Sequence, residues 1–515
     1  MALEFDIIRI TADTSRTVGT TFDVTSSRIT DFSSCLIIPI HFFGGTLGTA
    51  QNHAGAGWGA ADKLGVGAVC FRRAQHDRSS LTLCSTLYAS PGAGNRCLIV
   101  GDPTASSSGS QLWALTAVAR STSGVANGIR FSTAVQATQA FEAIVVLFGG
   151  LSGSDVVQVN DTTWPTSALS YTPNAVVGAN SNGNGSATGQ SNLDYMPNFG
   201  ASVDVGSPKK QVCVAGLWDS GQATSDSDAV VESDRLFDEV TGTGSITLDV
   251  SVSSYGTQIT SSTPIGANPN AWCLTLRFPT GVKFSCAVVP FTATTGVQSF
   301  SPFGFTPSLL LGQASLLTSS DSLTDGATAA VEGLCAFMLG TEYAVSTRQK
   351  EGQTINAGNH TAASTVFDAK AVLLMDDGGT KVVEASLNTL GGASEFSLNF
   401  TTASQAGRLV LFAIGTVQSH PFEQIGRARR AALEARRPRR RFLGGVKRAA
   451  FVVPENLWRA LQRHRQHALE AVRWRRTIQP SQPEFVRQFS TRDGDSALAT
   501  SERGSNALAA SEQGD

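Results

Sequence analysis

Six acids crowd one short stretch of this 515-residue chain: Asp226, Asp228, Glu232, Asp234, Asp238 and Glu239. Carboxylates gathered this closely offer the oxygen ligands that a hard cation such as calcium takes. The residue order and glycine of an EF-hand loop are absent, so the default for the stretch is a solvated acidic loop, with calcium binding as the alternative. The histidines are scattered at 41, 53, 76, 360, 420, 464 and 467, with no HExxH motif. His464 and His467 stand three apart, and a metal there would still need further ligands. No GxSxG, no SxxK with its companion motifs and no GxxxxGK[ST] phosphate loop occurs. Two glycosidase carboxylates can come from distant strands without a local signature. The residues therefore support no catalytic site, cofactor or metal assignment, and the expectation is a non-enzymatic protein.

The densest charge lies late in the chain. Residues 427–476 hold 16 lysines and arginines against three acids, whereas 1–426 carry 20 basic and 32 acidic residues. An acidic body thus bears a basic arm. Arg429, Arg430, Arg436, Arg437, Arg439, Arg440 and Arg441 are dense enough to contact phosphates. A second segment, from Pro454-Glu455 to about Arg476, reads as a helix, because proline suits a first turn and an acid there complements the dipole. Leu457, Leu461, Ala468 and Val472 fall on one side of it, and Trp458 and Trp474 accompany them. Arginine and tryptophan commonly anchor protein interfaces, so docking on protein is the favoured reading of the arm, ahead of nucleic acid or a merely solvated tail.

The elements that must carry these residues are strands. Charged residues make up only 16% of the chain, and Gly, Ser and Thr abound before about residue 420, which reads as an all-β body with many turns. One pattern occurs twice, as Tyr171-Thr172-Pro173-Asn174-Ala175-Val176-Val177-Gly178 and as Phe305-Thr306-Pro307-Ser308-Leu309-Leu310-Leu311-Gly312, with a worn copy at Phe32 to Ile38. Proline at the start of a short apolar run suits the beginning of a buried strand. We call these the opening strands. Apolar closing strands follow each at Phe141–Phe148, Ala271–Phe278 and Arg408–Ile414, and a lead strand precedes each near 3–11, 155–164 and 282–293. Just before each closing strand an alternating segment is expected to pair with it in a meander: Ile129-Arg130-Phe131, Ile246 to Val252, and Phe396 to Phe400.

The predicted fold is all-β: three tandem β-sandwich-like (jelly-roll-like) repeats at 1–150, 151–280 and 281–416. A basic α-helical arm at 417–480 and a low-complexity tail at 481–515, expected to be disordered, complete the chain. Polar segments at 44–62, 180–196 and 318–330 differ most between the units and are expected to be exposed contact loops. The eight cysteines mostly sit in apolar runs and read as buried, unbridged side chains. No signal peptide is visible, and no run approaches the roughly 18 apolar residues of a membrane helix.

Tandem units that open on aromatic-Thr-Pro and close on strands such as Arg408-Leu409-Val410-Leu411-Phe412 resemble a group of tailed-bacteriophage virion proteins of mostly uncharacterised role. The resemblance covers about 1–416 and is best in the third unit. It implies a virion location and a capsid-associated or tail structural protein, assembling in many copies as a homo-oligomer and with other virion proteins. It transfers no functional residue, and nucleic acid remains a second partner for the arm. The alternative is a receptor-binding module in which loop tryptophans such as Trp58 and Trp164 stack on host glycan.

Overall fold

The computed structural model describes residues 2–415 apart from 76–82, 90, 92–94, 103–109, 160, 183–197, 207, 219–225, 242–244, 264–268, 353–362 and 393. The expected arm and tail therefore lie outside the described residues. The regular structure described is almost entirely antiparallel strand, with one four-residue helix, Arg120–Ser123. No described helix is long and apolar enough to cross a membrane.

Three large sheets organise the chain. The first runs Glu4–Thr11, Phe141–Gly149, Phe32–Phe43, Ala54–Asp62, Gly67–Gln75, Leu83–Ala89. The second runs Gly153–Val159, Pro269–Arg277, Ala175–Asn182, Asn198–Val203, Lys210–Trp218, Ser227–Glu232. The third runs Lys283–Phe291, Gly407–Gly415, Leu309–Ser315, Val331–Met338, Thr341–Gln349, Ala363–Asp368. In each, the closing strand sits between the lead strand and the opening strand. Smaller sheets cover one face of each large sheet, as Thr21–Thr25, Gly128–Val135, Gln111–Val118 and Arg96–Gly101 do for the first.

The other faces of all three large sheets meet in one core. Ile144, Val146 and Phe148 from the first, Trp272, Leu274 and Leu276 from the second, and Val410, Phe412 and Ile414 from the third belong to the same buried cluster. The alternate residues Val145, Leu147, Leu409 and Leu411 face private cores beneath the covering sheets. Both faces of a closing strand are therefore dry, which is why it reads as a largely apolar run. The same logic corrects the expected meander. Gly128–Val135 pairs with Thr21–Thr25 and Gln111–Val118 in the covering sheet, and the closing strand Phe141–Gly149 pairs with Glu4–Thr11 and Phe32–Phe43. A strand with one wet face belongs in an outer layer; a strand with none belongs between layers.

Part of the first expected contact loop turns out to be internal, whereas most of 318–330 is exposed or half-buried. Ala54–Asp62 is a strand buried along its whole length, and its glycines reflect crowding: a Cβ on Gly57 or Gly59 would lie 2.1 Å from the carbonyl oxygen of Cys70 or Cys97. Gln51–Asn52 adds to the edge strand Ala363–Asp368 of the third sheet, and Thr324–Asp325 adds to the edge strand Ser227–Glu232 of the second. These short straps cover backbone that an open edge would leave unpaired. Of the third loop, 183–196 falls outside the described residues.

The glycine that ends each opening motif has a steric cause. A Cβ on Gly312 would lie 1.9 Å from the Val410 carbonyl oxygen, and one on Gly178 would lie 2.2 Å from that of Trp272. Gly312→Ala is expected to lower stability by about 1–3 kcal/mol, as overpacking does, read as an earlier urea midpoint. An unchanged midpoint would show that the strands can separate freely there.

Candidate functional site

The three large sheets converge on one buried cation. Arg72, on Gly67–Gln75 of the first sheet, has its side chain wholly buried and pairs with Glu332 of the third. It also donates to Thr347 Oγ1 at 2.9 Å, and its guanidinium lies 3.3 Å from the ring centroid of Trp218, on the second sheet. Thr347 in turn donates to Glu332 Oε1 at 2.8 Å, and Gln313 Nε2 to Oε2 at 3.2 Å. Burial pushes the Glu332 carboxyl up, against the pull of Arg72 and Thr347. Ala54, Ala74 and Ala363 pack with Trp218, small residues that let the sheets approach. A second link runs between the first two sheets: Val156 N–H donates to Asp62 Oδ2 at 3.1 Å. Burial raises the Asp62 carboxyl to about 6, while this bond and those from Val66 and Leu64 oppose the rise.

The acidic stretch seen in the sequence becomes a cleft. Ser227–Glu232 leads through Ser233, Asp234 and Arg235 into Phe237–Thr241, which pairs with Ser245–Val250 so that Asp238 stands directly opposite Asp249. Like charges in that position repel. Asp321 arrives from the third sheet's strap: its N–H donates to Val231 O at 2.8 Å, and Ser233 donates to its Oδ1 through N–H at 2.9 Å and Oγ at 3.0 Å. Its φ of 57° is one that aspartate tolerates. The cleft holds about 440 Å³ between Glu232, Asp234, Asp238, Asp249, Asp321 and Arg235. Arg235 is engaged by Asp234 at 2.6 Å and by Asp249. Burial first, then the neighbouring acids Asp321, Asp238 and Asp234, push Glu232 up to about 8; burial and Asp249 push Asp238 up to about 7. Burial also works to raise Asp321, but hydrogen bonds from Glu232 and Ser233 outweigh it and hold that group low.

At the other end of the strap, ligand oxygens of Asp226, Asp325 and Glu351 also come within 4.8 Å of one another. A further cavity, of about 630 Å³, opens beside Phe5, Phe305, Pro307, Met338, Leu339 and Gly415, where the third sheet ends.

No family model, curated protein or solved structure matches this chain. The site is therefore argued from its own residues. Of the acids singled out by sequence, Glu232, Asp234 and Asp238 share the cleft, Asp226 joins the second cluster, and Asp228 is buried within a strand opposite Asp325. The side chain of Glu239 lies outside the described residues, as do Arg429, Arg430, Arg436, Arg437, Arg439, Arg440, Arg441, Leu457, Trp458, Leu461, Val472 and Trp474. Trp58 and Trp164, the proposed sugar platforms, are 1% and 0% exposed. Their rings pack in cores, Trp58 at 4.9 Å from Phe199, and present no face to a glycan. Seven cysteine side chains are described and all are buried. Sequence reasoning missed Arg72, Glu332 and Asp321. The first two were detectable as charges inside apolar strands, which must be paired if buried; Asp321 joins its partners only through the fold.

Removing one member of the Arg72–Glu332 pair leaves an uncompensated buried charge. Glu332→Leu is expected to cost about 3–5 kcal/mol, whereas Arg72→Met with Glu332→Leu is expected to cost less than the two single changes, Arg72→Met and Glu332→Leu, together. Urea denaturation of the four proteins in this cycle checks it, and additive losses would mean that the pair is not coupled.

Proposed function

We propose that this chain is a structural protein of a bacteriophage virion, in which three copies of one β-sandwich plan form an acidic body and a basic C-terminal arm fastens that body to its neighbours. Three features support common descent of the units: the recurring lead, closing and opening order of the large sheets, the repeated opening motif, and the shared crowding at Gly178 and Gly312. The observation that carries the assembly reading is the division of labour along the chain. The body spends its closing strands and straps on internal packing, while residues 427–476 hold a basic excess by sequence and, read as a helix, bring Leu457, Leu461, Ala468 and Val472 to one side.

On this reading many copies assemble as a capsid-associated or tail component. Arg429, Arg430, Arg436, Arg437, Arg439, Arg440 and Arg441 pair with carboxylates of a neighbouring copy or another virion protein, and Leu457, Trp458, Leu461, Val472 and Trp474 bury apolar surface against it. Charge complementarity sets register and encounter rate more than affinity. Nucleic acid is the second partner the same arginines suit. The receptor-binding alternative gains nothing from the tryptophans first assigned to it, since both are interior.

Deleting 427–515 is expected to leave a folded body that fails to join particles, measured by co-sedimentation with virions and by circular dichroism of the free protein. Normal incorporation of the truncated protein would overturn the arm's role. Arm-dependent binding to DNA that falls steeply with salt would move the contact from protein to genome.

A further inference from the structure

We propose that the cleft between Glu232, Asp234, Asp238 and Asp321 binds a calcium-class divalent cation, which fastens the third sheet's strap to the edge of the second sheet. The first support is distance. Ligand oxygens of Glu232, Asp234 and Asp321 lie within 4.8 Å of one another, and two oxygens on opposite sides of a calcium ion at about 2.3–2.6 Å are about 4.6–5.2 Å apart. The second is independent of the cluster. Asp238 is 1% exposed and lines the cleft, yet its Oδ1 has no hydrogen-bond partner. A desolvated carboxylate oxygen without a donor is costly, and a cation held in the same cleft would offset that cost through its charge.

Charge gives the third support. Five carboxyl groups and one guanidinium line the cleft, and the guanidinium of Arg235 is already shared by Asp234 and Asp249. Neither histidine nor cysteine is among the lining residues, and a set of carboxylate oxygens selects a hard ion over zinc or copper. The ion would bridge elements far apart in sequence, since Glu232 and Asp234 belong to the second sheet's edge and Asp321 to the strap.

The test is thermal unfolding and calorimetric titration of the full chain, stripped with a chelator and then given calcium. A Tm rise of several degrees is expected, with heat of binding. Glu232→Gln with Asp321→Asn should abolish both responses. Asp238→Asn should blunt the response to calcium. Asp325→Asn, in the neighbouring cluster, should leave the response in place. No heat and no Tm shift in the wild-type chain at any pH would overturn the proposal, even if the variants fail to fold. So would a response that survives Glu232→Gln with Asp321→Asn, or one lost with Asp325→Asn.

Discussion

Burial of both faces of the large sheets is the constraint from which the other features follow. Along Phe141–Gly149, Ile144, Val146 and Phe148 go to the common core while Phe141, Ala143, Val145 and Leu147 go to the private one. Apolar surface removed from water on two sides contributes about 25 cal/mol per Å² on each, so a strand in this position is apolar on both faces except where a polar group is paired, as Glu142 is by Arg9 and Thr11. The covering strands, wet on one side, alternate instead, as Phe396, Leu398 and Phe400 do around exposed Asn399. A sheet dry on both faces still has edges, and the straps at Gln51–Asn52 and Thr324–Asp325 cover two of them with backbone from another sheet's segment.

Polar groups in such an interior act as locators. Apolar packing alone tolerates sliding of one sheet on another, whereas Arg72 can satisfy its charge only where Glu332, Thr347 and Trp218 come together. Asp62 fixes the first two sheets in the same way through the Val156 amide. The edge of the second sheet is different in kind. There the carboxylates of Glu232, Asp238, Asp249 and Asp321 face one another, and the energy of the contact depends on what neutralises them, a proton or a cation.

Much of the architecture was legible because two-sided burial writes itself into composition. The closing strands at 141–148, 271–278 and 408–414 were visible as apolar runs, and the opening motifs marked their partners. Pairing was less legible: Gly128–Val135 precedes the closing strand in sequence and looked like its neighbour, but its wet face puts it in another layer. The Gly/Ala-rich segment around Trp58 resembled a loop because small residues serve turns and crowded strands alike, and only the contact of Gly57 and Gly59 with neighbouring carbonyls separates the two cases. For the acidic cleft, half was readable. Glu232, Asp234 and Asp238 are close in sequence, whereas Asp321 is brought in by a strap whose partner no local pattern announces.

The central claim is that the three large sheets share one core and open together. Native-state hydrogen exchange in increasing denaturant, read by mass spectrometry on the closing strands, tests it most directly. The account predicts that Phe141–Gly149, Pro269–Arg277 and Gly407–Gly415 merge onto one unfolding free energy with one denaturant dependence. Three distinct free energies, each sandwich exchanging while the others stay protected, would contradict it.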